Sequence, residues 1–551
     1  MAGFLQANLK ALAACDPGLS ARLSAAFTGP GHYAWAPARS GEKVPALKGS
    51  STPARPLHSL VDPQREGQRL ISTVQDAGFL IFFGLGGGFA PAAALEREDI
   101  HHILIVDYAY DAVAELLDTA SYRTLWEDPR VHFLVDPGSD LLEQYIADHY
   151  QPVFHRGIQV IPLRVRVDAA RELFRTAQEG INRGIERLGA DYSVQTHLGI
   201  RWFSNILRNL RTMQPAQDPV PPLKQVAICA AGPSLDLQLP HLAEERSSRF
   251  LIAVDTSLPA LLNAGLIPDA VVSIDAQHIS YYHFMQGLPA PLYLDLASPP
   301  SAASQAAAPY FFAGGHPLAR YIARHWRPLP LVDTSGGNVT YAAVSLAAYW
   351  GATQVEVYGA DFAYPEGRAY ARGTYLYPFF ETRQTRFSPL ETQWSALLYR
   401  SPELTKIRHG DRWYYETAPL RRYRQLLEAR LPELPARVIP VPGMGAPWGG
   451  REGLSTPKQA PLPSPDVPDR SWPTVQDFIA AYRTALQRLP ALTGSVPAYL
   501  QGLTQGQGQI LSTVLPLAAA LQRRHNALGP GELLEAVRSW GIKKIDALFS
   551  P

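Results

Sequence analysis

The sequence predicts an α/β protein built from several domains. Three observations carry that expectation. Short apolar runs recur: Phe79–Phe83 ahead of a glycine turn, then 103–107, 250–255, 271–275 and 355–361, each of these four ending in an acid. Stretches of helical period separate these runs, which is the pattern of βαβ units in a parallel sheet. A chain of 551 residues, 46% of them hydrophobic, is also too long for one ordinary domain and can fill more than one core.

Composition narrows the function classes. Fifty basic residues against 49 acidic ones leave a formal charge of +1, which gives no general drive toward nucleic acid or an anionic membrane. Two cysteines, Cys15 and Cys229, exclude a disulfide framework and a Cys-rich zinc site. The apolar character of residues 1–14 is broken by Gln6, Asn8 and Lys10, so it reads as a short amphipathic helix rather than a secretory leader. Residues 77–95 carry no charge, but five glycines and Pro91 make them a strand and a turn rather than a membrane span. The expected location is cytoplasmic.

Taken in order, residues 1–70 read as an irregular lead-in, with Leu57-His58-Ser59 and Asp62-Pro63 standing before a helix at 64–74. Phe79–Phe83 is a buried strand, Gly84-Leu85-Gly86-Gly87-Gly88 its turn, and 103–107 the next strand, ending in Asp107. This is a Rossmann-like arrangement, in which backbone N–H groups can face the anion of a nucleotide or S-adenosylmethionine. The same glycines serve equally to let a strand re-enter a helix. Further strands at Val131–Val135 and 157–165, with helices at 169–188 and 196–210, complete an N-terminal domain at 1–213.

Four prolines in 214–223 mark a stiff linker, drawn at 214–224, ahead of a central domain at 225–430. Residues 431–473 are dense in Pro and Gly and read as a second linker. A helical C-terminal module follows at 474–551, opened by the capping pair Thr474 and Asp477, with Val475, Phe478, Ile479, Tyr482, Leu486 and Leu489 on one face. This module suits docking to a partner or to a second copy of the chain, as a homo-oligomer.

The central domain carries the functional expectation, because open parallel sheets bind ligands at the carboxyl ends of their strands. Gly232-Pro233-Ser234-Leu235 follows the first strand and offers close backbone approach, a fixed turn, a hydroxyl and an N–H; it reads either as a phosphate-binding turn or as an ordinary one. Asp255 and Asp275 end two further strands and suit either a ribose or sugar hydroxyl or a helix cap. Thr334-Ser335-Gly336 opens a small-residue helix and suits an anion or a plain N-cap. Asp361 ends a later strand, and Tyr364, Tyr370 and Tyr375 follow it.

Together these pieces resemble the motility-associated (Maf-type) flagellin glycosyltransferases. Gly232-Pro-Ser-Leu235, Asp255-Thr-Ser-Leu258, Gly265-x-x-Pro-Asp269, Ser273-x-Asp275 and Gly359-Ala-Asp361-Phe362 are similar to that family's central domain. Leu57-His58-Ser59 with Asp62-Pro63, Phe83-Gly-Leu-Gly86 and Trp202-x-x-Asn205-x-x-x-Asn209 are similar to its N-terminal region. The central domain in turn resembles bacterial sialyltransferases that use a CMP-activated donor. Their turn, Thr-Ser-Gly element and Gly-x-Asp-Phe strand end have counterparts at 232–235, 334–336 and 359–362.

The resemblance implies transfer of a nonulosonic acid, of pseudaminic, legionaminic or sialic type, from its CMP-sugar to Ser or Thr of flagellin. Tyr364 and Tyr370 would assist the departing phosphate, and Gly232, Pro233, Ser234, Leu235, Asp255, Asp275, Thr334, Ser335, Gly336 and Asp361 would bind the donor. The expected base is a histidine. His316 is the candidate, with His278 and His283 in the same domain, while His409 stands in a context unlike the family's. No tightly bound cofactor and no metal are expected. The competing readings are a non-catalytic flagellin-binding scaffold, a 6-hydroxymethyl-dihydropterin pyrophosphokinase using ATP and Mg²⁺, and a methyltransferase working from the N-terminal glycine turn.

Overall fold

The structure, a computed structural model, describes residues 4–49, 53–213, 223–401, 403–449, 472–525 and 528–549. The expected linker at 214–224 lies outside them over 214–222, and the expected linker at 431–473 lies outside them over 450–471. The chain forms two compact units. The first holds residues 1–199, 486–511 and 515–541; the second holds 200–485, 512–514 and 542–551.

In the first unit the lead-in is ordered rather than irregular. Helices Leu5–Ala13 and Pro17–Ala26 precede an antiparallel sheet of β1 (Tyr33–Pro37), β2 (Lys43–Leu47) and β3 (Arg55–Pro56). These elements are short and interrupted by Gly and Pro, so no periodic pattern develops in the sequence. The helix Pro63–Ser72 follows, its first turn closed by Asp62, whose Oδ1 accepts from the Arg65 N–H at 2.8 Å.

A four-stranded parallel sheet then forms from β4 (Phe79–Phe83), β5 (His102–Asp107), β6 (Val131–Val135) and β7 (Ile158–Pro162), in the order β6-β5-β4-β7. The two central strands are wholly buried, as expected for strands covered on both faces. Asp107 at the end of β5 does not wait for a ribose. It is buried, ion-paired to Arg166 at 2.8 Å, and accepts from the Leu85 N–H at 3.0 Å and its neighbour Tyr108 N–H at 2.7 Å.

The two helices expected at 169–188 and 196–210 are one helix, Arg171–Thr212. Its glycines are not breaks. A Cβ at Gly180 would collide with the backbone of Ser139, and one at Gly199 with the backbone of Pro516, so close packing holds these positions small. The division between the two units falls within this helix, at Gly199, ahead of the expected boundary at 213.

The second unit is organised by a seven-stranded sheet. Its first six strands are β8 (Gln225–Cys229), β9 (Phe250–Val254), β10 (Ala270–Ser273), β11 (Leu292–Asp295), β12 (Tyr310–Phe312) and β13 (Gln354–Tyr358). A small antiparallel sheet of β14 (Tyr364–Pro365), β15 (Thr405–His409) and β16 (Arg412–Glu416) follows, and β17 (Arg437–Pro440) returns to the edge of the large one. The order is β12-β11-β10-β9-β8-β13-β17, and every pairing is parallel. The expected linker at 431–473 therefore contains a strand, because β17 pairs with β13 from Gln354↔Arg437 to Val357↔Pro440.

The tail is helical, with helices Val475–Gln487, Val496–Gly502, Gln505–Arg524 and Pro530–Phe549. Thr474 and Asp477 cap the first as the pattern requires, the Thr474 hydroxyl accepting from the Asp477 N–H at 3.1 Å. Yet residues 474–551 are not a module of their own: their helices are shared between the two units.

The Asp107–Arg166 pair gives a stability test. Arg166→Met would leave a buried carboxylate without its cation, at a cost of about 3–5 kcal/mol. Urea unfolding followed by near-UV circular dichroism should show the loss.

Candidate functional site

The strand order of the large sheet reverses between β8 and β13, so the crevice outside their carboxyl ends is the expected ligand position. Two turns meet there. The turn after β8 holds Gly232, Pro233, Ser234 and Leu235, and the turn after β13 holds Gly359 and Asp361. The Gly232 N–H donates to the Gly359 carbonyl at 2.8 Å. A Cβ on Gly232 would collide with Asp361 and the Gly359 carbonyl, and Gly359 itself has φ +64 and lies against the Ala230 carbonyl. Close approach of one backbone to another thus explains both glycines.

Ser234 and Asp361 are bound to each other. The Ser234 N–H donates to Asp361 Oδ2 at 2.8 Å, and the Ser234 hydroxyl donates to Oδ1. That hydroxyl also accepts from the Met444 N–H at 2.7 Å, while the Asp361 carbonyl accepts from the Ala446 N–H at 2.9 Å. The segment after β17 closes over the pair, with Trp448 Nε1 donating to the Ala360 carbonyl at 2.9 Å. Ser234 is 1% exposed and Asp361 5%. Burial raises the Asp361 carboxyl above its usual range, and the two bonds from Ser234 act against that rise. The groups expected to hold a donor here, the Ser234 hydroxyl and N–H and the Asp361 carboxylate, are instead engaged in joining β8, β13 and the segment after β17. Phe362, next in the chain, has φ +45 and packs edge-on against Trp448.

Asp255 and Asp275 follow the next two strands, β9 and β10. Asp255 is buried, accepting from the Ser273 hydroxyl at 2.6 Å and its neighbour Thr256 N–H at 2.6 Å. Asp275 is half-buried, with Oδ1 accepting from the Gln277 N–H at 2.9 Å. Burial, then the neighbouring Asp255 charge, raise its pKa, and His283 opposes them. The His283 ring lies 4.6 Å from that of Tyr375, at 87°.

Tyr370 and Tyr375 both feel the charge of Asp255, and Tyr375 also that of Asp275. Burial raises the pKa of Tyr364, Tyr370 and Tyr375, the last to about 12, so all three hold their protons near neutrality. The positive field of Arg400 reaches the same three rings, and among the described residues this guanidinium has no ion-pair partner. Arg400 stands in no local sequence pattern that marks it as functional.

The Thr334-Ser335-Gly336 loop reaches the same group of rings through Tyr423. A Cβ on Gly337 would stand 2.9 Å from the Tyr423 ring, and Tyr423 interacts with Tyr370. Within the loop, Thr334 Oγ1 accepts from the Gly315 N–H at 2.9 Å and the Ser335 N–H donates to Asp333 Oδ1 at 2.9 Å. Asn338 caps the helix Val339–Tyr349, its Oδ1 accepting from the Tyr341 N–H at 2.9 Å. A Cβ on Gly336 would strike the Tyr341 ring. The plain N-cap reading accounts for these bonds.

His316 is not placed as a base. Its Nδ1 accepts from the Leu318 N–H at 3.1 Å and caps the helix Pro317–His325, which puts the proton on Nε2. Burial drives its pKa down to about 3, so it stays neutral. Its ring meets Trp202 edge-on at 5.7 Å. Trp202 shares a helix face with Asn205 and Asn209, whose amides donate to the Ala297 carbonyl at 3.0 Å and to the Leu296 and Ser298 carbonyls at 2.9 and 2.8 Å. That face thereby holds the loop after β11. His409 lies at the end of exposed β15, and His278 bonds Ser301 at 3.1 Å.

One further acid belongs to the strand-end series, and its signal is the run Leu292–Asp295, which repeats the pattern of an apolar run closed by Asp. Asp295 is buried under Gly314, where a Cβ would collide with its carboxylate, and burial raises its pKa to about 6. Among the described residues no group of three or more His, Cys, Asp or Glu side chains is arranged to hold a metal ion, and no helix is long and apolar enough to cross a membrane.

Fold and strand-end chemistry together define the class: an α/β protein with a parallel sheet and its polar side chains gathered at one end. A family model described as 6-hydroxymethylpterin diphosphokinase MptE-like matches residues 201–367, which include β8 to β14 and the helix face of Trp202. Among solved structures, that of a Maf glycosyltransferase from Magnetospirillum magneticum AMB-1 has the same fold, with a TM-score of 0.52 and 13% identity over 99% of this chain and 95% of that one. An uncharacterized protein of Treponema pallidum (strain Nichols) is 33% identical over 159 residues, which are 28% of this chain and 74% of that protein. The chain belongs to the family of this Treponema protein. A second uncharacterized protein of the same organism is 47% identical over 92 residues, 17% of this chain, and the chain spans about a third of its length, 32%.

Two outcomes test this geometry. Ser234→Ala removes the hydroxyl that joins Asp361 to Met444 and should cost about 1–3 kcal/mol in unfolding free energy. For Asp295, the folded carboxyl keeps its proton to about pH 6, above the ordinary 3.8. Its contribution is therefore fully present below pH 3.8 and is lost as pH rises through 6, a change of roughly 3 kcal/mol. Denaturant titrations at pH 4 and pH 7 should show that loss in the native chain and a smaller one in Asp295→Asn.

Proposed function

We propose that the chain is a glycosyltransferase that moves a nonulosonic acid from its CMP-sugar to Ser or Thr hydroxyls of a protein acceptor, flagellin, in the cytoplasm and in the service of flagellar assembly or motility. The observation that carries this reading is the group of Tyr364, Tyr370 and Tyr375 beside Arg400 and the acids Asp255 and Asp275, at the carboxyl ends of a sheet in a fold shared with a Maf glycosyltransferase.

The chemistry asks for what this group supplies. As the C–O bond between sugar and phosphate breaks, the electron pair leaves with CMP and positive charge grows on the sugar ring. Protonated tyrosines and an unpaired guanidinium are donors preorganised for the developing phosphate charge. Asp255 and Asp275 add negative charge near Tyr375, and such charge favours an oxocarbenium-like state. The acceptor hydroxyl then attacks the sugar carbon and gives up its proton. Asp275 suits that role better than His316, since it is half-buried and its raised pKa brings it closer to the working pH.

The diphosphokinase-like family match over 201–367 favours a second reading, pyrophosphoryl transfer from ATP with Mg²⁺. Calorimetric titration of the full chain with CMP, and with ATP plus Mg²⁺, separates the two. CMP binding without metal is the expected result; ATP binding that needs Mg²⁺ moves the function to the kinase class. With purified flagellin and CMP-nonulosonate, Asp275→Asn should lower the transfer rate about 10²–10⁴-fold and Tyr370→Phe by a smaller factor, by mass spectrometry of the acceptor. Full transfer by both variants would remove the site assignment. Flagellin binding without any transfer would return the protein to the scaffold class.

A further inference from the structure

The first unit has a switch point of its own. In the order β6-β5-β4-β7 the chain proceeds from β4 to β5 on one side and returns to β7 on the other. The glycine turn after β4 is closed against a ligand. His58 Nε2 accepts from the Gly87 N–H at 2.8 Å, a Cβ on Gly86 would collide with His58 and Leu163, and the Tyr122 hydroxyl donates to the Gly86 carbonyl at 2.6 Å. With Asp107 paired to Arg166, neither half of a dinucleotide-type site is open.

Beside the turn, however, is a cavity of about 1270 Å³. Its floor is the ends of β4 and β7, at Gly84 and Leu163, and its walls include the helix Pro63–Ser72 and the β1–β2 turn. Four arginines line it: Arg39 from the β1–β2 turn, Arg65 and Arg69 one turn apart on the helix, and Arg164 just after β7. Among the described residues none of the four guanidiniums makes an ion pair or a side-chain hydrogen bond.

The lining holds two carboxylates, and both are engaged locally. Asp62 caps the helix, while Glu66 accepts from the Ser59 N–H at 2.9 Å and lies 3.7 Å from His58 Nδ1. Four cations against two acids leave an excess of two positive charges converging on one concavity. Apolar side chains, Leu57, Phe82 and Ile161 among them, make up much of the remaining wall.

We infer that this cavity is a binding site for a small phosphate ester of two or more negative charges, carried on a nucleoside or a sugar. Guanidinium forks from three separate elements match phosphate oxygens on several sides, and the apolar wall accepts the ring that bears the phosphate. The volume is ample for such a molecule. The inference is independent of the function proposed for the second unit, since every lining residue belongs to the first.

The test is calorimetric titration of the full chain with inorganic pyrophosphate at low salt, with UDP and glucose 1-phosphate as the two carrier arms. Arg65→Gln with Arg69→Gln, and separately Arg39→Gln with Arg164→Gln, should each weaken pyrophosphate at least tenfold. The four side chains are exposed and unpaired, so both variants should keep the native unfolding midpoint. Arg386→Gln, an exposed arginine of the other unit, should bind pyrophosphate as the native chain does. UDP binding more tightly than glucose 1-phosphate assigns a nucleotide, and the reverse order a sugar phosphate. No pyrophosphate binding by the native chain overturns the site, as does binding that both double variants retain. Binding of polyglutamate with silence from pyrophosphate also overturns it, in favour of an acidic peptide.

Discussion

The second unit depends on a buried carboxylate, Asp361, and on what it takes to keep it buried. A carboxylate at the end of a central strand cannot be left without donors. Ser234 supplies an N–H and an O–H from the neighbouring strand's turn, and the segment at 444–446 adds backbone contacts. To let Ser234 reach it, the two turns must touch, which requires glycine at 232 and 359. To close the rest, the chain after β17 must fold back over the sheet. The motif Gly-Pro-Ser-Leu is thus the near half of a junction, and Gly-Ala-Asp-Phe is the far half.

The same architectural position is treated differently in the two units. In the first, the acid at the end of β5 is cancelled by Arg166, and the glycine turn is filled by His58 and Leu163. Charge left open is positive and sits beside the turn, on Arg39, Arg65, Arg69 and Arg164. In the second, three acids close successive strands, Asp255 just after β9, Asp275 beyond β10 and Asp295 on β11, and tyrosines from the segment after β13 feel the charge of the first two. Asp295 is sealed under Gly314, Asp255 is bonded to Ser273, and Asp275 retains an exposed face. Burial therefore sorts three acids of similar sequence context into different roles.

Much of the fold was legible because buried parallel strands are apolar on both faces and announce themselves as unbroken runs. Phe79–Phe83 and Val131–Val135 have the bounds that the sequence gives them, and β8, β9, β10 and β13 fall within a residue or two at their starts. Elements lacking such a run were missed. β1 to β3 are short and edge-like, and β17 is a four-residue strand inside a Pro-rich stretch whose pairing with β13 is set by distant sequence. The glycines of Arg171–Thr212 misled in the other direction, since a glycine selected for close packing looks locally like a helix break.

By itself the sequence determined the α/β class, the place of ligand chemistry at strand ends, and which residue types gather there, because strand periodicity and turn chemistry are local. Tertiary structure alone decided which of those groups remain open. Ser234 and Asp361 are 127 positions apart and satisfy each other, and His316 is held neutral as a helix cap beside Trp202. The positive field of Arg400 reaches the tyrosines through folding that no local pattern records. Whether a polar side chain is a ligand contact or a structural bond depends on which partner reaches it first, and that partner is supplied by the distant chain.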